Sequence, residues 1–153
     1  MLRGRGIAYA GRGGTLVAVV AEVEVDWASG RIWPRRIVVA HDCGLIVNPR
    51  GLRHCIEGNV TQGISRALCE EVRFDRNNVT SVDWASYPIL DITDAPETID
   101  IVLIDRPELL PSGAGEPTIR LIAPAIANAV FDATGVRLRR APLTPERVKA
   151  ALI

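Results

Sequence analysis

Two stretches of this chain, and one scattered set of residues, have types and spacing that could do chemistry. The first is the loop Ser112-Gly113-Ala114-Gly115-Glu116-Pro117, which sets a carboxylate directly after two glycines and ahead of an apolar run. Gly113 and Gly115 flank one small residue, so the bend can take positive φ and admit a bulky ligand close to its backbone. Pro117 suits the first position of a helix, and the helix dipole there favours an ionised carboxylate. An ionised carboxylate on a stiff loop is a candidate general base. The same features describe an ordinary helix cap. A phosphate-binding loop is disfavoured, because no Lys-Ser or Lys-Thr follows the glycines.

The second stretch is Ile56-Glu57-Gly58-Asn59-Val60-Thr61-Gln62-Gly63. Leu52, Ile56, Val60, Ile64, Ala67 and Leu68 recur at helical spacing after Pro49, so the spacing predicts a helix to about Val72. Each internal glycine costs about 1 kcal/mol against alanine. Gly58 and Gly63 therefore imply close approach by another element or by a ligand. The Gln62 amide can donate and accept, which suits the edge of a heterocycle; a solvated helix-face residue is the alternative. The scattered set is His41, Asp42, Cys43, His54 and Cys55. It invites a zinc reading, but the spacings are unusual, and adjacent helical residues point in different directions. Buried thiols and ordinary loop histidines explain the set better, and no metal ligand is assigned.

The elements that must position these residues read as follows. Leu16–Val25 and Ile32–Ala40 are strands joined by the turn at Asp26–Gly30, a β-hairpin. The glycine-rich stretch Gly4 to Gly14 leads into the first of them. Arg73–Trp84 reads as two short strands about Asn77-Asn78. Ile99–Ile104 is apolar almost throughout, which predicts a central strand. A second helix is expected from Pro117, loosened at Pro124 and closed by Gly135. Val136–Arg140 reads as a short edge strand, and Thr144-Pro145-Glu146 opens a final helix. Trp27, Trp33 and Trp84 are expected to anchor packing, with Trp27 exposed in the hairpin turn. The fold class is α/β (α+β): a β-hairpin and mixed sheet packed against two long helices, one domain over residues 1–153.

Composition bounds the partners. Lys plus Arg number 18 and Asp plus Glu number 18. That balance argues against an obligate nucleic-acid binder, and no apolar run has the length of a membrane span. Three cysteines at long gaps are no disulfide framework. They fit a reducing compartment, so cytoplasm before periplasm.

Taken in order, several runs resemble the C-terminal part of the molybdopterin-binding large subunit in the xanthine dehydrogenase and aldehyde oxidase family. They are Asp42-Cys43-Gly44-Leu45-Ile46-Val47-Asn48-Pro49, Ile56–Gly63, Gly115-Glu116-Pro117 and Ala125-Ile126-Ala127-Asn128-Ala129-Val130-Phe131-Asp132-Ala133-Thr134-Gly135. The isoquinoline 1-oxidoreductase-like branch is most similar, from about Gly4 to Ala150. The resemblance implies a hydroxylase that inserts water-derived oxygen into an N-heteroaromatic or aldehyde substrate. It makes Glu116 the general base beside the molybdenum, and Gln62-Gly63 a contact to the pterin, with Gly113 and Gly115 lining the same pocket. The cofactor implied is molybdopterin with molybdenum, in bacteria often as the cytosine dinucleotide. Electrons would leave through a separate small [2Fe-2S] subunit. This reading requires Glu116 to face a cavity or an interface, not bulk water.

Further family loops that hold the cofactor have no counterpart in this chain. The start also reads like the middle of a longer sequence. The expectation is a fragment, a split subunit or a remnant that needs the remainder of the large subunit. Alone it would hold no cofactor, be inactive, expose apolar surface and tend to self-associate. The alternative is a stand-alone, non-catalytic α/β interaction module whose glycine–glutamate loop only caps a helix.

Overall fold

The computed structural model describes residues 1–152. Strands β1 (Leu2–Arg12), β2 (Thr15–Val25), β3 (Ile32–Asp42) and β4 (Thr98–Ile104) form one sheet in the order β1-β2-β3-β4. The first two pairings are antiparallel and β3–β4 is parallel, so the sheet is mixed. Helix α1 (Pro49–Leu68) makes the crossover from β3 towards β4. Helices α2 (Ile119–Thr134) and α3 (Pro145–Leu152) follow. The mixed sheet, the hairpin and the two long helices agree with the sequence reading.

The core lies between the sheet and the helices. Along β2, Val17, Val19, Ala21, Val23 and Val25 are buried, at the period of two that a one-face-buried strand requires. They meet Ile37 and Val39 of β3, Ile56, Val60 and Ile64 of α1, and Ile122, Ile126 and Val130 of α2. Asn48 caps α1, its side-chain oxygen accepting from Gly51 N at 2.9 Å, and Pro49 takes the first turn. Gly135 closes α2 in the left-handed region, φ 73°.

Several expectations are corrected. The glycine-rich start is a full strand, β1. Its Gly4 and Gly6 lie against the α2 backbone; a methyl on either would overlap the carbonyl oxygens of Ala129 and Ala125. β4 is an edge strand, not a central one; its outward residues Val102 and Ile104 stay exposed despite the apolar run. Residues 73–84 form only a single bridge, Phe74 with Val79, and 136–140 form no strand. Trp84 is 80% exposed and anchors nothing, whereas the Trp33 ring stacks under Arg35, 3.4 Å from guanidinium carbon to ring centre. Trp27 is exposed as expected.

The face of the sheet away from the helices is zoned. At one end Glu24 lies between Arg3 and Arg35, and Arg35 also meets Glu97. Beside it run Arg5–Glu22 and Arg36–Asp100. The next rows in register are apolar on β1 to β3: Ile7, Val20 and Val38, which Asp100 completes on β4, then Tyr9, Ala18, Ala40 and Val102. Ile7, Tyr9 and Val102 are exposed there. No helix among the described residues is long and apolar enough to cross a membrane.

The packing sets the sign of two substitutions. Gly6→Ala should destabilise the fold by about 1–3 kcal/mol, because backbone occupies the space. Gly58→Ala, exposed in α1 with nothing near its missing Cβ, should stabilise by up to about 1 kcal/mol. Urea denaturation measures both signs. His41 is fully buried on the core face of β3, and neither ring nitrogen has a partner among the described residues. Burial pushes its pKa down, with the nearby Asp42 opposing. The charged form is thus disfavoured in the fold, and stability present at neutral pH is lost as pH falls below about 6.5. Denaturation midpoints across that window should fall less in His41→Leu than in the parent chain.

Candidate active site

The loop 105–116 is stitched to the end of β3 and to the start of β2. Arg106 pairs with Asp42 at 2.8 Å, and its N–H donates to Gly44 O at 3.3 Å. Leu45 N donates to Leu109 O, and Ile46 N to the Asp105 carboxylate. Ser112 N donates to Cys43 O at 2.8 Å. The buried Thr15 hydroxyl donates to Gly113 O at 2.6 Å and lies 2.6 Å from Ser112 Oγ. The strand ends thus hold the carbonyls of the loop, leaving its last residues to project outward.

Glu116 projects from this bend. It lies in the turn before α2, three residues ahead of Ile119, so it is neither the cap nor in the first helical turn. The helix dipole falls off within a turn and acts on it less than the sequence suggested. Gly113 and Gly115 are not in the positive-φ region; their carbonyls point inward, to Thr15 for Gly113 and to α1 for Gly115. The Glu116 side chain is 68% exposed, and its Oε1 accepts from Arg12 Nη1 at 2.6 Å. Arg12, at the end of β1, is itself 61% exposed. In this chain the carboxylate therefore faces outward, paired with an arginine, and not into a cavity of its own domain. Exposed pairs of this kind contribute about 0–1 kcal/mol, so this one can exchange partners readily.

Beside the loop, the start of α1 and the 43–48 turn enclose a cleft of about 300 Å3, lined by Cys43, Val47, Cys55, Ser112 and Ala114 among others. A larger hollow of about 640 Å3 sits over the Arg3–Glu24–Arg35 ladder. It is on the far face of the sheet, and the ladder's charges are already paired with one another. We therefore place the candidate site at the loop and not in the larger hollow.

Helix α1 lays a stripe of residues against the loop. Cys55 Sγ lies 3.6 Å from the carbonyl oxygens of Ala114 and Gly115, and Asn59 Nδ2 donates to Gly115 O at 2.9 Å. Gln62 continues that stripe one turn on. Its amide is exposed and bonds to no described residue. Gly63 is different: a Cβ there would stand 2.6 Å from Ile122. Its close approach is to α2 and not to a ligand, so its part in the site is to let the two helices meet. Gly113 and Gly115 have open space where a Cβ would be. The exposed Gln62 amide offers both a donor and an acceptor, the set that a pterin edge would need, but no contact among the described residues joins it to Gly113 or Gly115. His54 contacts Glu57 at 3.1 Å, apart from the buried His41.

Sequence reasoning missed Thr15, Arg12 and Asn59. A buried threonine at a strand start and an arginine beside glycines carry no periodic signal. Asn59, one turn before Gln62 in a glycine-containing helix, could have been singled out by the same logic.

Residues 8–96 match the molybdopterin cofactor-binding domain family. The chain is 47% identical to one of the nicotinate dehydrogenase subunits of Pseudomonas putida, over 99% of its own length and 13% of that protein. It is 30% identical to the beta subunit of isoquinoline 1-oxidoreductase from Brevundimonas diminuta, over 92% and 18%. Among solved structures, quinoline 2-oxidoreductase from Pseudomonas putida 86 superposes with a TM-score of 0.81 at 27% identity, covering 90% of this chain and 18% of that one. The aldehyde oxidoreductase of Desulfovibrio gigas gives 0.80 at 32%, covering 90% and 15%. The chain thus spans less than a fifth of the length of each of these relatives. With the fold, the loop order and the matched residues in agreement, this chain belongs to the molybdopterin-binding domain of the xanthine dehydrogenase and aldehyde oxidase family.

Proposed function

We propose that this chain is the part of a molybdenum hydroxylase large subunit that carries the general base, Glu116. The reaction is hydroxylation of an electron-poor carbon of an N-heteroaromatic or aldehyde substrate, with oxygen from water. The similarity to nicotinate dehydrogenase favours the N-heteroaromatic class. The observation that carries the reading is the loop ahead of Glu116, whose backbone is held by Thr15, Asn59 and Cys43 beside a cleft at the start of α1. The loop backbone is thus fixed before any partner arrives, and the Glu116 carboxylate is free to serve an adjoining surface.

When bound, the molybdopterin cofactor, as the cytosine dinucleotide on this reading, supplies a two-electron acceptor. Glu116 would take the proton of the water-derived oxygen as that oxygen bonds to the ring carbon, while the hydrogen the carbon loses would leave with its electron pair to the bound cofactor. Gln62 would hydrogen-bond the pterin edge, and Gly113 and Gly115 would leave room for it. Gly63 assists by setting the α1–α2 distance. The two electrons pass to a small [2Fe-2S] subunit. The remainder of the large subunit supplies the missing wall of the site, which the relatives' greater length supports. The exposed apolar rows at Ile7, Tyr9 and Val102 support the same arrangement. Left uncovered, they would drive self-association.

A second reading, a non-catalytic module, is favoured by the exposure of Glu116 and its pairing with Arg12. One experiment separates the two. The chain is co-expressed with the remainder of the large subunit and the small subunit, and molybdenum content and turnover are measured. Glu116→Gln should retain the metal and lose about 10²- to 10⁴-fold in kcat. Unchanged turnover would favour the non-catalytic module. The chain expressed alone should bind no molybdenum; stoichiometric metal there would show that the site is complete without partners.

A further inference from the structure

Helix α2 begins without its own cap. Thr118 holds the cap position with helical φ and ψ, and its side chain makes no capping hydrogen bond. The first amides of a helix need an acceptor from somewhere. Here the acceptor comes from α1: Asn59 Oδ1 accepts from Ile119 N at 3.0 Å. The other end of the same carboxamide donates to Gly115 O at 2.9 Å and to Cys55 O at 2.7 Å. Asn59 is only 8% exposed, so both bonds to the loop lie away from competing water. The assignment of oxygen and nitrogen is forced, since Ile119 N–H can only donate and the Gly115 carbonyl can only accept.

We infer that Asn59 is a positioning residue for the catalytic carboxylate. It grips the chain at 115 and again at 119, and Glu116, Pro117 and Thr118 are all that lies between. Thr15 and Ser112 fix the upstream part of the loop but reach no further than Gly113. Asn59 is thus the buried side chain that ties residue 115 to the first amide of α2; Cys55 Sγ adds a weak contact to Gly115 O, and Arg120 Nε donates to Pro117 O at 3.3 Å from α2 itself. The geometry is also selective for asparagine. An aspartate could accept from Ile119 N but, ionised, would face the Gly115 and Cys55 carbonyls with like charge. An alanine would leave the Ile119 amide without its acceptor and the Gly115 carbonyl with only the weak Cys55 thiol.

The inference rests on Glu116 being the base, so the test is a double-mutant cycle in the assembled holoenzyme. Asn59→Ala should lower kcat by about 10- to 100-fold, the cost of a misplaced catalytic group. Molybdenum content and substrate KM should stay unchanged. In the Glu116→Gln background the same substitution should cost nothing further, because a residue acting through the carboxylate has nothing left to position. Hydrogen exchange on the same holoenzyme should show faster exchange at 115–119, with the rest of α2 unaltered. Asn59→Asp and Asn59→Ser are read in the same way should the alanine variant fail to accumulate. A kcat within twofold of the parent would overturn the inference. So would an equal loss in the Glu116→Gln background, or loss of molybdenum. If Glu116→Gln itself keeps full turnover, the base assignment fails first, and that result is visible before Asn59 is touched.

Discussion

The architecture depends on helix α2 lying against bare backbone. Gly4 and Gly6 of β1 have no side chains to hold the helix away, and Ala125, Ala129 and Ala133 present the matching small face at four-residue spacing. The distance between helix and sheet is therefore set by main chain on both sides. β1 is an edge strand, and an open edge leaves unpaired amides and carbonyls. Helix α2 answers that as well. Asn128 donates to Ile7 O at 2.9 Å, and Asp132 accepts from Arg5 N at 2.9 Å. At the other edge of the sheet, Arg53 of α1 reaches Ile101 O. The run from Ala125 to Asp132 is thus a strip that docks on one strand and closes its edge. It contributes to the site by fixing the axis of α2, and hence the place where Glu116 must emerge.

The parts of the fold legible in sequence were those whose core residues repeat at the period of their element. Val17 to Val25 alternates cleanly, and Leu52 to Ala67 follows a helical stripe, so β2 and α1 could be read, although α1 stops at Leu68 and not near Val72. β1 escaped because its inward residues are Gly4, Gly6, Ala8 and Ala10: the helix backbone fills the space that valines would fill elsewhere. An alternation of nothing with something polar reads as a glycine-rich loop. β4 was misplaced for the opposite reason. Its outward Val102 and Ile104 belong to an apolar face that this chain leaves uncovered, so an edge strand carried the composition of a central one.

The site divides in the same way. Glu116 stood out because a carboxylate between glycine and proline is a local pattern. The glycines beside it suggested unusual torsions, whereas neither takes positive φ and a Cβ at either would meet nothing among the described residues. The groups that hold the loop were not legible, since Thr15, Asn59 and Ser112 act across separations of 56 to 98 residues. A buried asparagine within a helix looks, in sequence, like any solvated polar residue. Its partners, the Ile119 amide and the Gly115 carbonyl, come together only in the fold.

A loop held by backbone carbonyls changes how a half-built site can work. None of the hydrogen bonds that fix residues 112–115 involves the Glu116 side chain. The carboxylate can release Arg12 and turn to a new partner without loosening the bend. Were Glu116 itself part of the stitching, covering the site would oblige the enzyme to choose between holding the loop and moving a proton. On the proposed reading, separating the two tasks keeps the Glu116 backbone in place while leaving the carboxylate lone pairs for a proton, which is the preorganisation that a proton acceptor at a closing interface requires.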